Sequence, residues 1–330
     1  MELKGISLKR LSALAVGVLL TAMGATAQAD DAYPQRPIKL IVPAAPGGGA
    51  DFIARLLGPS LTASLGQAVV IENKSGASGT IAAGLVAKSD HDGYTLLMAQ
   101  STSMVIAPHI YKHLPYDPLK DLAPVALAVR VPNILVVNPA VPAKTIAEFI
   151  ALAKAKPLKL SYGSSGYGSP SQLGGKMFEM AAGVKMVHVP YRGIGPAVTA
   201  LLGNQIQAMF APITTVLPLI KAHQLRALGV TTAGRLTAIP NIPTIAESGL
   251  PGYEISSWFG VFAPAHTPAA IITRLNQAVV QALKDPKIAA AIAREASEPG
   301  GDSPQEFAAF VRSQDVKFAA IVKNFGPKVD

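Results

Sequence analysis

Twice in this chain an apolar strand pattern runs through a glycine-rich turn directly into a helical pattern. The first unit is 38-IKLIV-42, then 43-PAAPGGGAD-51, then the periodic stretch 52-FIARLLGPSLTASL-65. The second is 158-LKLSY-162, then 163-GSSGYGSPSQ-172, then 173-LGGKMFEMAAG-183. A helix that opens at such a turn presents unbonded backbone N–H groups and the positive end of its dipole at one spot. That is an anion site that needs no charged side chain. Two such sites, one in each half of the chain, can grip one anion between two domains.

The alternation of strand and helix patterns continues. Strands are predicted at 68–72, 94–99, 134–138, 187–190, 206–210 and 225–230, and helices at 80–89, 145–155, 195–203 and 214–223. This order predicts an α/β fold with mostly parallel sheets flanked by helices. Thr145 with Glu148, Thr244 with Glu247 and Ser303 with Glu306 have capping-box spacing. Ser169, Thr267, Asp285 and Ser303 each precede a proline suited to the first helical position, and Thr80 reads as a further cap. From Pro268 onward the chain is Ala-rich and helical, as expected of helices that return to cover a domain already built. The Pro-marked stretches 131-VPN-133 and 251-PGYEISSW-258 are the candidate crossings between two lobes, and two crossings make a hinge.

The chain opens with a basic stretch, 1-MELKGISLKR-10, then an apolar run that ends in Ala27-Gln28-Ala29. This is the pattern of a secretory signal peptide, with cleavage expected after Ala29 and export to the periplasm. A retained membrane anchor is the rival reading. Ser12, Gly17, Thr21, Gly24 and Thr26 dilute a run already short for spanning. The chain has no cysteine, which excludes disulfides, thiolate metal sites and a lipidated cysteine. Without Lys4, Lys9, Arg10 and Glu2, the 29 basic and 20 acidic residues leave a net charge of about +7. Such a charge draws acidic ligands or serves solubility. Lys and Arg are scattered, aromatics are sparse and no recognition motif occurs, so nucleic acid is not an expected partner.

Few residues suggest chemistry. The loop 46-PGGGAD-51 lacks the Lys-Ser/Thr of a phosphate loop, and no G-x-S-x-G elbow is present. Three adjacent glycines exceed what a tight turn needs, which points to close ligand approach; Asp51 reads as a cap or first-turn acid. The loop 163-GSSGYGS-169 offers hydroxyls and bare backbone at a helix start. The polar run 100-QSTS-103 follows a strand, at the sheet end where ligands of open α/β sheets collect. His109 and His113 lack the glutamate of a zinc protease and read as surface histidines. His188 is expected to pack at a strand end, and Trp258 to pack near a hinge. Arg192 is the basic residue to watch as a partner for an anion. A hydrolase built on Ser164 or Ser165 lacks a base at any recognisable spacing. No metal or cofactor is expected.

The same residues carry a resemblance to the Bug family of periplasmic solute-binding proteins, the receptors of tripartite tricarboxylate transporters. It shows in 33-YPQRPIKLIVPAAPGGGAD-51, 71-IENKSGASGTIAA-83, 92-DGYTLL-97, 114-LPYDPLKDLAPVA-126, 160-LSYGSSGYGSPSQL-173, 188-HVPYRG-193 and 243-PTIAESGLPGY-253. The resemblance implies a two-lobed, periplasmic-binding-protein-like fold that closes on a ligand carboxylate. By it, the lobes are 30–131, 132–253 and a return at 254–330, after a signal peptide at 1–29. It implicates Ala44, Ala45, Gly47, Gly48, Gly49 and Asp51 on one side, and Ser164, Ser165, Gly168, Ser169 and Gln172 on the other. Ser101 and Ser103 would line the cleft.

Two departures matter. Ala44-Ala45 stands where relatives often carry Phe. The stretch 209-MFAP-212 places Ala211 where relatives often carry an acid able to meet a ligand amine. The expected ligand is therefore a small, amine-free organic carboxylate. The expected molecule is a monomeric receptor that serves a membrane transporter or, alternatively, presents its closed form to a signalling sensor.

Overall fold

The computed structural model describes residues 33–323, so the expected signal peptide lies outside the described residues. From Arg36 onward the chain forms one compact unit. Its first half lays down three parallel strands, β1 (Ile38–Val42), β2 (Val69–Asn73) and β3 (Thr95–Gln100), with β1 in the middle. Helices α1 (Gly49–Leu65) and α2 (Thr80–Ala87) connect them. A π-helical turn, Thr102–Ile106, and a short helix α3 (Ala107–Ile110) follow β3.

Strand β4 (Leu122–Val137) then runs for 16 residues through the centre of the molecule. Next come α4 (Ile146–Ala155), β5 (Ser161–Ser164), α5 (Pro170–Ala182), β6 (Val187–Pro190), α6 (Ile194–Leu202), β7 (Ala208–Pro212), α7 (Ile213–Lys221) and β8 (Arg226–Val230). The chain returns as β9 (Ser256–Pro264), α8 (Ala269–Leu283), α9 (Pro286–Arg294), β10 (Glu298–Pro299) and α10 (Pro304–Val322). The strand order is β2-β1-β3-β9-β4-β7-β5-β6, with β8 and β10 also pairing β4.

The change of partners along β4 divides the sheet. From Leu122 to Pro132 it pairs antiparallel with β9; from Asn133 to Val137 it pairs antiparallel with β7 and β8. Beyond β7, β5 and β6 are parallel. This is a two-lobed α/β fold in which β4 alone pairs with strands of both parts of the sheet, β9 on one side and β7 and β8 on the other. Thr231 ties the crossing segments together. Its hydroxyl lies 2.8 Å from the Asn133 carbonyl and 2.5 Å from the Ile255 carbonyl, and accepts from the Asn133 N–H at 3.2 Å.

Two apolar clusters hold the halves. One reaches from Ile41 and Leu97 through Trp258 and Phe307 to Phe149 and Phe210. The other gathers Ile134, Met209, Ala211, Leu217 and Val230. Trp258 packs edge-on against Phe307 and Phe310, and its indole N–H has no partner among the described residues. It packs, as expected, rather than stacking on a ligand.

The expected elements form where local pattern governs them, and the differences have local causes. The strand expected at 158–162 begins only at Ser161, because Leu158 takes a left-handed φ of 58° in the preceding turn. Thr244 accepts from the Glu247 N–H, yet only turns follow: Gly249 (φ 109°) and Pro251 end the helix before it starts. Thr80 is not a cap. Gly79 precedes the helix, and the Thr80 hydroxyl donates to the Ala77 carbonyl. Thr267 likewise donates its hydroxyl to Pro264, and Pro268 is the flanking residue of α8. Ser303 with Glu306 forms the full reciprocal box, and Asp285 and Ser169 cap α9 and α5.

Candidate functional site

The first glycine loop is held from behind by a carboxylate. The Gly47 N–H donates to Asp51 Oδ2 at 2.9 Å, and the Gly48 N–H donates to the Ala45 carbonyl at 3.0 Å. Asp51 also accepts from Arg55 Nε and Asn73 Nδ2, each at 2.9 Å, and Asn73 donates again to the Ala44 carbonyl. The Arg55 guanidinium, helped by the Gly47 and Asn73 donors, holds the buried Asp51 carboxyl down at about 2. Asp51 is thus spent on the loop. Ala44, Ala45, Gly47 and Gly48 shape it, and Gly49, exposed, starts α1. Each glycine has its own reason. Gly47 sits at φ 82°; a Cβ on Gly48 would lie 3.1 Å from Ala44 Cβ and Ala45 O; one on Gly49 would lie 3.3 Å from the Phe259 ring.

The second loop is built by a hydrogen-bond chain anchored on His188. Gln172 Nε2 lies 3.5 Å from His188 Nδ1, and His188 Nε2 lies 2.7 Å from Ser164 Oγ. The Ser164 hydroxyl donates to the Gly166 carbonyl and accepts from the Gly166 N–H. Gln172 Oε1 accepts from the Gly168 N–H at 2.6 Å, and the Ser169 hydroxyl donates to Gly166 O. The amide N–H₂ of Gln172 faces Nδ1, and the Ser164 hydroxyl faces Nε2. Burial holds His188 down at about 4, so the ring is neutral at pH 7. The Ser164–His188 contact thus ties the strand that carries His188 to the turn at Gly166.

Between the loops lies a cavity of about 930 Å³. Of the expected site residues, Gly47, Gly48, Gly49, Ser101, Ser165 and Ser169 line it. Ala44, Ala45, Asp51, Ser164, Gly168 and Gln172 are not among the lining residues. Ser103 is fully buried; its hydroxyl donates to Gln100 O and its carbonyl accepts from Tyr116. Ala211 lies in the second apolar cluster beside Ile134, away from the lining. Its missing acid therefore says nothing about a ligand amine. Arg192 is exposed and outside the lining. His109 is not a bare surface histidine, since it meets Asp315 of α10 at 2.7 Å. Among the described residues no three potential metal ligands cluster, and no helix is long and apolar enough to cross a membrane.

Sequence reasoning missed several lining residues. Thr214 and Thr215 follow β7 in the same strand-to-helix context as the glycine loops, and that signal was available. Phe52 and Tyr167 line the cavity from the two loops with exposed aromatic rings. Ser257, Phe259 and Glu295 arrive from the returning chain, where nothing local marks them. Four helices, α1, α5, α6 and α7, contribute first-turn residues: Gly49, Pro170, Ile194 and Thr214. No Lys, Arg or His occurs among the lining residues, and Glu295 alone carries a charge. The site offers partial positive charge from peptide dipoles, together with hydroxyl donors.

Comparison with known proteins agrees with this geometry. BugT of Bordetella pertussis is 36% identical over 326 residues, spanning 98% of this chain and all of that protein. The periplasmic binding protein BugD superposes with a TM-score of 0.77 at 34% identity, over 88% of this chain and 98% of that one. R. palustris Rpa4515 with adipate superposes with a TM-score of 0.80 at 37% identity, over 88% and 97%. The family model described as "Tripartite tricarboxylate transporter family receptor" matches residues 53–326. With two lobes, a cleft between two helix-opening loops and these relatives, the chain belongs to the tripartite tricarboxylate transporter family of receptors.

Proposed function

We propose that this protein captures a small organic carboxylate between its lobes in the periplasm and delivers it to a tripartite tricarboxylate-type membrane transporter. The observation that carries the reading is the convergence of four helix N-termini on one cavity without a cationic side chain. A carboxylate accepts hydrogen bonds from backbone N–H groups and hydroxyls, which such a lining supplies. The adipate of the relative Rpa4515 belongs to the same class. Gly49, Ser101, Ser165 and Ser169 are the proposed contacts, and the network of Asp51, Ser164, Gly168 and Gln172 holds them in place. The lobes are proposed as 30–131, 132–253 and the return from 254, with Thr231 at the hinge.

The test is a thermal-shift screen of aliphatic mono- and dicarboxylates from three to eight carbons, followed by calorimetry. At least one acid is expected to raise the melting temperature and bind one per chain. Gly49→Val is expected to weaken it about 10-fold or more, the scale of one or two lost charge-assisted hydrogen bonds. A panel with no binder would falsify the reading. Export is tested separately: the intact mass of periplasmic protein is expected to place the N-terminus at or within a few residues of Asp30. Full-length chain in the inner membrane would contradict it.

A further inference from the structure

Glu295 is the one charged residue in the cavity lining, and it comes from neither glycine loop. It follows the last turn of α9, and its own N–H is taken by the carbonyls of Ile292 and Ala293. Its carboxylate meets no cation among the described residues. The next residue, Ala296, is packed in the apolar cluster that includes Ile213, the residue before Thr214. Glu295 and Ser297 line the cavity together with Thr214 and Thr215. The lining holds acceptors and hydroxyls, but no ammonium or guanidinium to neutralise a second anion. Two carboxylates in a water-poor cleft repel one another, whereas a hydroxyl or ammonium there gives a charge-assisted hydrogen bond.

The geometry points to Glu295 as the residue that sets the far end of the ligand: it selects acids ending in a hydrogen-bond donor, hydroxyl or ammonium, over diacids of the same length. This inference rests on the carboxylate-receptor reading and replaces the expectation drawn from Ala211. Discrimination of this kind works by repulsion of the wrong ligand as much as by attraction of the right one.

The experiment is calorimetry on wild type, Glu295→Gln and Glu295→Lys with two matched sets. The first is adipate, 6-hydroxyhexanoate and 6-aminohexanoate; the second is succinate, 4-hydroxybutyrate and 4-aminobutyrate. Wild type is expected to bind a donor-ended acid about 10-fold or more tighter than its matched diacid. Glu295→Gln is expected to narrow that ratio, chiefly by improving diacid binding, and Glu295→Lys to reverse it. Circular dichroism checks that both variants fold. A wild type that prefers the diacids, or a ratio unchanged in both variants, overturns the assignment while leaving the carboxylate reading intact. No binding of any acid in the wider panel overturns both.

Discussion

His188 shows how one buried side chain can tie a binding loop to pH. Its neutral ring meets the Ser164 hydroxyl through Nε2 and faces the Gln172 amide N–H₂ through Nδ1. Protonation would place an N–H of Nδ1 against the Gln172 amide N–H₂ and break the chain that shapes the second loop. In the unfolded chain the imidazole titrates near its ordinary 6.5; in the fold, burial lowers it to about 4. Between those values the unfolded state binds more protons, so stability falls as pH falls from about 6.5 to about 4, and this contribution changes no further below that. The melting temperature of wild type is expected to drop across that window, and that of His188→Gln to drop less. Equal slopes would rule His188 out as the cause. Asp51 acts lower, since its pull is lost only as pH falls from 3.8 toward 2. Asn133 offers a different residue-scale test. It is fully buried at the crossing, and neither end of its amide has a partner among the described residues. An amide without partners favours unfolding, so Asn133→Leu is expected to leave the melting temperature of the ligand-free protein unchanged or raised. A clear fall would mean that the amide is satisfied in solution.

At the scale of elements, α10 separates two kinds of stabilisation within one helix. Its start is fixed by Ser303 and Glu306, each bonding the other's backbone. Its body is fixed by Phe307, which sits against Trp258 and Phe262 and leaves room only for glycine at position 260, where a Cβ would come within 2.3 Å of the ring. The cap is exposed and local; the ring is buried between lobe and helix. Ser303→Ala is therefore expected to cost about 1 kcal/mol, and Phe307→Ala about 3–5 kcal/mol. Urea unfolding of both variants checks the contrast. If the two costs were equal, α10 would not be held mainly by its packing.

At the scale of the whole molecule, ligand must favour closure if it is held by loops of both lobes. A ligand touching one lobe would have no differential affinity for the closed state and could not drive the change. The exposed rings of Phe52 and Tyr167, one from each loop, would then be drawn toward the bound ligand. Small-angle scattering is expected to show a smaller radius of gyration with a bound acid, at a mass of one chain. Binding at a thousand times the dissociation constant should also add roughly 4 kcal/mol of stability. Tight binding with unchanged dimensions would argue against a closing cleft.

The sequence by itself determined the features that depend on near neighbours. The apolar run 38-IKLIV-42, the cap at Ser169, the box at Ser303 and the glycines at 47–49 are set by burial of a short apolar strand, by first-turn N–H groups and by steric room for a Cβ. These act over a few residues, so they can be read along the chain, and the family resemblance extended that reading to the fold and the two loops. The tertiary structure alone decided where the amides point and what they are spent on. Gly47 gives its N–H to Asp51, and Ser164 meets His188, bonds that no local pattern marks. It also carried β4 through Pro124 and Pro132 as one strand, folded Ala211 inward and brought Glu295 into the cavity from the returning chain. The physical reason is the same in each case. Pairing across many residues is settled by which surfaces bury one another, and no local pattern encodes the identity of a distant partner.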